Sequence, residues 1–263
     1  MIFADTHTHL YLEEFDEDRE QVLRQCSESG VKYLFFPNID KSSIQPMLDL
    51  CTTHEHCYPM MGLHPSEVRE NYRDALNDIM EQMDISDFVG IGEIGMDLYW
   101  DKTFVEEQKT VLAEQLQYAQ SRNLPAIIHC RKAFAETWEV IKQIKAPLRG
   151  IFHCFAGDIA QAEKVIEKGF LIGVGGTVTY KNSGIQEVVS HIGLEHIVLE
   201  TDSPFLTPVP FRGKRNASYH IPLIAQRIAE IKGVTVEEVA ETTTGNALKL
   251  FIPTCGAAVQ PHG

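Results

Sequence analysis

Ile2-Phe3-Ala4-Asp5-Thr6-His7-Thr8-His9-Leu10 opens the chain. It reads as a short apolar strand running out into two histidines one residue apart. Successive side chains of an extended strand face opposite ways, so Asp5, His7 and His9 are expected to share a face. Neutral imidazoles on one strand end suit a divalent cation such as zinc. A lone His-x-His equally fits a polar strand end entering a loop. It gains weight because later apolar runs end in the same residue types.

Those runs lie at 31–37 (VKYLFFP), 57–62 (CYPMMG), 88–94 (FVGIGEI), 125–129 (PAIIH), 150–153 (GIFH), 170–174 and 196–200 (HIVLE). Between them the apolar residues recur at helical spacing. Helices are expected over 12–29 (ended by Gly30), from Ser42 or Ser43 to about His54, and over 70–84. After a loop at 95–101, further helices are expected to about Arg122, then over 133–145, 159–168, 185–192, 221–232 and 236–251. Strand and helix alternating about every 30 residues imply a parallel sheet, and eight repeats imply closure into a (β/α)8 TIM barrel of the α/β class. An open doubly wound sheet is disfavoured, because no Gly-x-Gly-x-x-Gly turn follows the first strand. One domain is expected over 1–251, with 252–263 a disordered tail.

The 263 residues match the length of one such barrel, and 44% hydrophobic with 23% charged residues describes a globular protein with ample core. No apolar run approaches the ~20 residues of a membrane span, and no secretory signal is expected. Cys26, Cys51, Cys57, Cys130, Cys154 and Cys255 lack C-x-x-C spacing, which leads us to expect reduced thiols and a cytoplasmic location. The net charge of −14 argues against a protein that coats nucleic acid. An enzyme acting on a strand end is less constrained, since bound cations and a few local basic groups supply the attraction. A monomer is expected.

The active site of such a barrel lies at the C-terminal strand ends. Those ends carry His7, His9, His64, Glu93, His129, His153 and Asp202. Imidazoles and carboxylates converging there are costly to desolvate unless paired or metal-bound, and two cations sharing one carboxylate would use them all. His54, His56, His191, His196 and His262 read as surface or satisfied histidines.

Asp5-Thr6-His7-Thr8-His9-Leu10, Gly92-Glu93-Ile94-Gly95-Met96-Asp97, Ile128-His129-Cys130-Arg131, His153-Cys154-Phe155-Ala156-Gly157 and Glu200-Thr201-Asp202-Ser203-Pro204 occur in that order. Together they resemble the TatD family of metal-dependent deoxyribonucleases, among the amidohydrolase-like barrels. The likeness extends through Pro208–Gly213 and Gly245-Asn246-Ala247. It implies two divalent ions (Zn, Mg or Mn), one on His7, His9 and Asp202, the other on His129 and His153, with Glu93 bridging. A metal-bridging hydroxide would attack a phosphodiester, releasing nucleotides from the 3′ end of DNA and possibly RNA. Asp202 would orient that water or accept its proton, or serve as a ligand alone. His64 would contact the scissile phosphate. Many members carry a second histidine where this chain has Ser66, a departure that bears on the strength of nuclease activity.

Arg131, Lys132, Lys181, Arg212, Lys214 and Arg215 follow strand ends. Arg131 and Arg212 are our substrate-binding candidates, set against plain solvated charges. Tyr99 and Trp100 could stack on bases, with loop packing the preferred reading. Asp5 and Glu200 are expected to orient histidines, and Cys130 and Cys154 to be inert thiols. The alternative function is hydrolysis of a non-nucleic-acid ester or amide, as by an amidohydrolase or aminoacyl-ester deacylase, at the same dinuclear centre. A non-catalytic binding module is disfavoured by the acidic charge and the complete ligand set.

Overall fold

The computed structural model describes residues 1–252 apart from 86 and 146. The expected tail at 253–263, with Cys255 and His262, lies outside the described residues. Among the described residues eight strands form one parallel sheet in sequence order. They are β1 (Phe3–Asp5), β2 (Val31–Pro37), β3 (Cys57–Met61), β4 (Gly90–Asp97), β5 (Ala126–Arg131), β6 (Gly150–Phe152), β7 (Phe170–Val174) and β8 (Ile197–Leu199). The helices are α1 (Arg19–Glu28), α2 (Ile44–Thr53), α3 (Tyr72–Ile85), α4 (Val105–Ser121), α5 (Phe134–Gln143), α6 (Ile159–Glu167), α7 (Ile185–His191), α8 (Ile221–Lys232) and α9 (Val236–Phe251). None is long and apolar enough to cross a membrane.

Side-chain alternation sorts each strand between two cores. Leu34 and Phe36 of β2 pack with the helices, as do Ala126 and Ile128 of β5. Ala4, Phe35, Met60, Ile127, Ile151 and Val198, one from each of six strands, form a second cluster inside the barrel with Ala247, Leu250 and Phe251 of α9. Phe251 stacks on Phe35 at 4.2 Å between ring centroids. Helix α9 therefore fills the floor, and only the opposite mouth is left for chemistry. Local signals set the helix ends: Asp158 and Gln161 form a capping box on α6, Thr235 caps α9, and Gly233 ends α8 at φ +68°.

Two expected boundaries change. The helix expected over 12–29 is a short 3-10 turn at Glu13–Phe15 followed by α1, because Arg19 holds the carbonyls of Leu10, Tyr11 and Leu12 and so ties the chain into a turn. The loop expected from 95 begins later, since β4 continues to Asp97. Gly95 permits this. It sits at φ +144°, and a Cβ there would lie 1.9 Å from the carbonyl oxygen of His129, so only glycine lets β4 run this close to β5.

Gly95→Ala should therefore cost about 3 kcal/mol or more, or prevent folding. Gly245, inside α9, has nothing within 4 Å of its Cβ position, so Gly245→Ala should stabilise by about 0.5–1 kcal/mol. Urea unfolding followed by circular dichroism checks both, and equal stabilities for the two variants would contradict the account.

Candidate metal centre

The bonds that close the barrel also assemble its mouth. Beyond β1, the His9 amide donates to the Ser203 carbonyl at 2.8 Å, and the Asp202 amide donates to the His7 carbonyl at 2.8 Å. Closure thus brings His7, His9 and Asp202 together. Asp202 leaves β8 at φ +56°, a left-handed conformation that aspartate adopts more readily than most side chains, and these bonds hold it there. Asp5 does not share the histidines' face as expected, because the strand ends at Asp5. Its buried carboxylate accepts the Thr201 amide at 2.9 Å, the Thr201 hydroxyl, and the His7 amide at 3.2 Å. Asp5 clasps the first strand to the last, and among the described residues its carboxylate makes no hydrogen bond to an imidazole ring.

Glu93 projects from β4, and its amide donates to the carbonyl of Asn38 at 3.0 Å. Its Oε2 lies 3.1 Å from His7 Nε2 and 3.8 Å from His9 Nε2. Its Oε1 lies 2.6 Å from His129 Nδ1, 2.9 Å from His153 Nε2 and 3.3 Å from His64 Nε2. One carboxylate therefore faces two imidazole groups, one with each oxygen. Asp202 Oδ1 is 3.6 Å from Nε2 of both His7 and His9. All seven strand-end residues named from the sequence meet here.

Neighbours fix which ring nitrogens face the centre. Tyr11 has one hydroxyl proton and donates it to the Pro37 carbonyl at 2.5 Å, so its oxygen accepts from His9 Nδ1 at 2.8 Å. The lone pair of His9 Nε2 is thereby aimed inward. His129 Nε2 donates to Asp97 Oδ2 at 3.0 Å, which leaves Nδ1 facing Glu93. His64 differs. The Ser66 amide donates into its Nδ1 at 3.1 Å, so the neutral ring carries its hydrogen on Nε2 and presents a donor to the centre.

Electrostatics follow from the crowding. Burial and the nearby His153 push His7 down to about 4. Burial alone would raise Glu93, but His153, His64 and His7 outweigh it and hold the carboxyl well below its usual range. His153 is buried too, yet Glu93, Glu200 and Asp202 raise it to about 10. Burial lifts Glu200 to about 8. Nδ1 of His7, Nδ1 of His153 and Oε2 of Glu200 are buried without a hydrogen-bond partner. Ligand atoms of His7, His9 and Glu93 lie within 4.8 Å of one another, as do those of His64, Glu93 and His129, and those of His7, His153 and Glu200. Nε2 of His7, His9 and His153, Nδ1 of His129 and the Glu93 carboxylate form a buried, converging set that fits divalent cations of the zinc or manganese kind.

Other expectations divide. Glu200 lies 3.7 Å from His153 Nδ1, adjacent but beyond hydrogen-bond length. Cys130 and Cys154 are pushed up by burial, Cys130 to about 11, as inert thiols should be. Arg215 is engaged by Asp18 at 2.6 Å. Trp100 does not pack its loop. It is 76% exposed, and the Arg131 guanidinium lies 4.0 Å over Tyr99 and 5.3 Å from Trp100. Arg212 lies 4.3 Å over Tyr180. The sequence reading assigned no role to Tyr11, Asp97, Gln108 or Gln115. The last two stand seven apart on the buried side of α4. Gln108 grips the backbone of Asp97, and Gln115 grips that of Leu63 just before His64.

Comparison with known proteins gives a consistent result. The family model described as TatD related DNase matches residues 4–252. An uncharacterized metal-dependent hydrolase of Bacillus subtilis (strain 168), YabD, is 37% identical over 253 residues, covering 95% of this chain and 99% of the relative. A protein of Pantoea ananatis named 3′-5′ ssDNA/RNA exonuclease TatD is 29% identical over 255 residues, covering 94% of this chain and 98% of its own. The crystal structure of the TatD homologue YjjV from Escherichia coli K12 superposes with a TM-score of 0.89 at 29% identity, covering 95% and 97% of the two chains.

Tyr11→Phe and Asp97→Ala should each lower divalent-metal affinity about 10–100-fold while leaving the far-ultraviolet circular dichroism unchanged. Competition with a chelating dye measures it, and unaltered affinity in both variants would contradict the roles given to these residues.

Proposed function

Because the chain belongs to the family of TatD-related DNases and is a metal-dependent hydrolase, we propose that it removes nucleotides from the 3′ end of single-stranded DNA or RNA by phosphodiester hydrolysis. The observation carrying this reading is Glu93, whose two oxygens face separate imidazole groups within one buried centre. The exonuclease name of the Pantoea ananatis relative supports the substrate class.

His7, His9 and Asp202 would hold one divalent ion and His129 and His153 a second, with Glu93 shared between them. When bound, such ions supply a water acidified from 15.7 to about 7 and positive charge for the phosphoryl and leaving oxygens. The remaining work falls to the chain. Asp202, whose side chain is 16% exposed where those of His7 and Glu93 are 4% or less, reaches the open side of the centre. His9, His153 and His7 outweigh its burial and hold its carboxyl below the usual range, so it is ionised and able to orient water or take its proton. His64, with Nε2–H directed inward, donates to a phosphoryl oxygen. Arg131 and Arg212 meet phosphates along the strand, and the exposed Tyr99–Trp100 pair offers faces on which bases stack.

A single-stranded oligonucleotide labelled at its 5′ end should be shortened stepwise from the 3′ end, and chelation should stop the reaction until a divalent ion is restored. Glu93→Gln and His129→Ala should each lose at least about a hundredfold in rate while remaining folded. His64→Ala should lower kcat but keep the metal stoichiometry. Full activity in Glu93→Gln, or cleavage of an acyl-ester panel with no cleavage of oligonucleotides, would overturn the proposal.

A further inference from the structure

A cavity of about 510 Å³ lies between the loops that follow β6, β7 and β8. Its wall includes Cys154, the residue after His153, so it adjoins the centre just described. Two cations, Lys181 and Arg212, line it, and no carboxylate does. The chain as a whole has 37 acidic residues against 23 basic ones. A lining of the opposite bias, on a surface that otherwise repels phosphates, selects an anion. Its volume falls in the range of about 300–1,000 Å³ that takes a single small ligand.

The walls are held in place before any ligand arrives. Tyr180 donates its hydroxyl hydrogen to the Thr207 carbonyl at 3.0 Å, and the Val209 amide donates to Thr179 Oγ1 at 2.9 Å, stitching the loop after β7 to the loop after β8. Gln186 Nε2 donates to the carbonyls of Val178 and Tyr180 at 2.8 and 2.9 Å. The Tyr180 ring so fixed supports the Arg212 guanidinium at 4.3 Å. A planar cation held on an aromatic face keeps its fork pre-organised for phosphate oxygens.

We infer that this cavity seats the nucleotide on the 5′ side of the scissile bond, with its 5′-phosphate on Lys181 and Arg212. The inference rests on the phosphodiesterase reading. Under that reading the scissile phosphate occupies the metal centre, so cations in the adjoining cavity meet a different phosphate of the same strand. A nucleotide at the 3′ end has no phosphate beyond the scissile one. The second phosphate therefore belongs to the preceding nucleotide, whose 3′-oxygen is the leaving group at the centre. Thr177, Asn182 and Ser183, also in the lining, offer polar groups for its sugar and base.

Calorimetry on the metal-loaded enzyme with phosphorothioate-linked dinucleotides, with and without a 5′-phosphate, tests this. The 5′-phosphate should tighten binding by about tenfold to a hundredfold, and a Lys181→Ala/Arg212→Ala double variant should cut that advantage to about twofold or less. Both side chains are exposed, so the double variant is expected to fold. No advantage from the 5′-phosphate in the wild type, or an advantage that survives in the double variant, would overturn the assignment. If the advantage is found and lost as expected but no oligonucleotide is hydrolysed, the cavity stands and the proposed function fails. If oligonucleotides are hydrolysed with no such advantage, the cavity alone fails.

Discussion

Lone pairs of imidazole and carboxylate groups, shut away from water and aimed at shared space, require positive charge between them. At the mouth of this barrel His7, His9, His129, His153, Glu93 and Asp202 converge, with most of their side chains nearly inaccessible to solvent. Protons meet part of the requirement, which is why His129 and His153 are raised despite burial. Protons do not meet all of it, because burial and the neighbouring His153 push His7 down, and its Nε2 faces Glu93 and His9 on an uncharged ring. Divalent cations held on the side facing Glu93 would supply the rest, with protons released as they bind. The remaining architecture holds that arrangement open.

Two layers of support do so. The barrel closes through bonds between the segments after β1 and β8, and the Asp5 carboxylate reinforces that seam, so the His7–His9–Asp202 group forms as closure completes. Around it, Tyr11 and Asp97 set the protonated nitrogens of His9 and His129, while the Ser66 amide sets His64 the other way. Ligand-type and donor-type histidines are thus distinguished by hydrogen bonds on their far sides. Ser66 keeps the His64 donor aimed at the centre through its backbone amide.

Much of this was legible in the sequence, and the limits have physical causes. Alternating apolar runs and helical stretches identify the barrel because the two periods differ and each is repeated. The strand tips identify the centre because the fold carries every C-terminal strand end to one mouth. Asp97 was hidden because Gly95 interrupts an apolar run and reads as a turn, although the glycine is there to let β4 pass close to β5. Tyr11 continues the every-second spacing of His7 and His9, a signal that was available. Gln108 and Gln115 act across the fold on segments 11 and 52 residues away, and no local pattern reveals that. Arg215 and Lys181 look alike in sequence. Only tertiary placement ties the first to Asp18 and sets the second in a cavity.

The central claim is that these side chains surround paired cations. Anomalous diffraction from crystals grown with zinc, recorded on both sides of its absorption edge, tests it most directly. Two peaks roughly 3.5–4 Å apart are expected, with Glu93 between them, His7, His9 and Asp202 on one, and His129 and His153 on the other. The same side chains in the same positions with no anomalous density among them would contradict it.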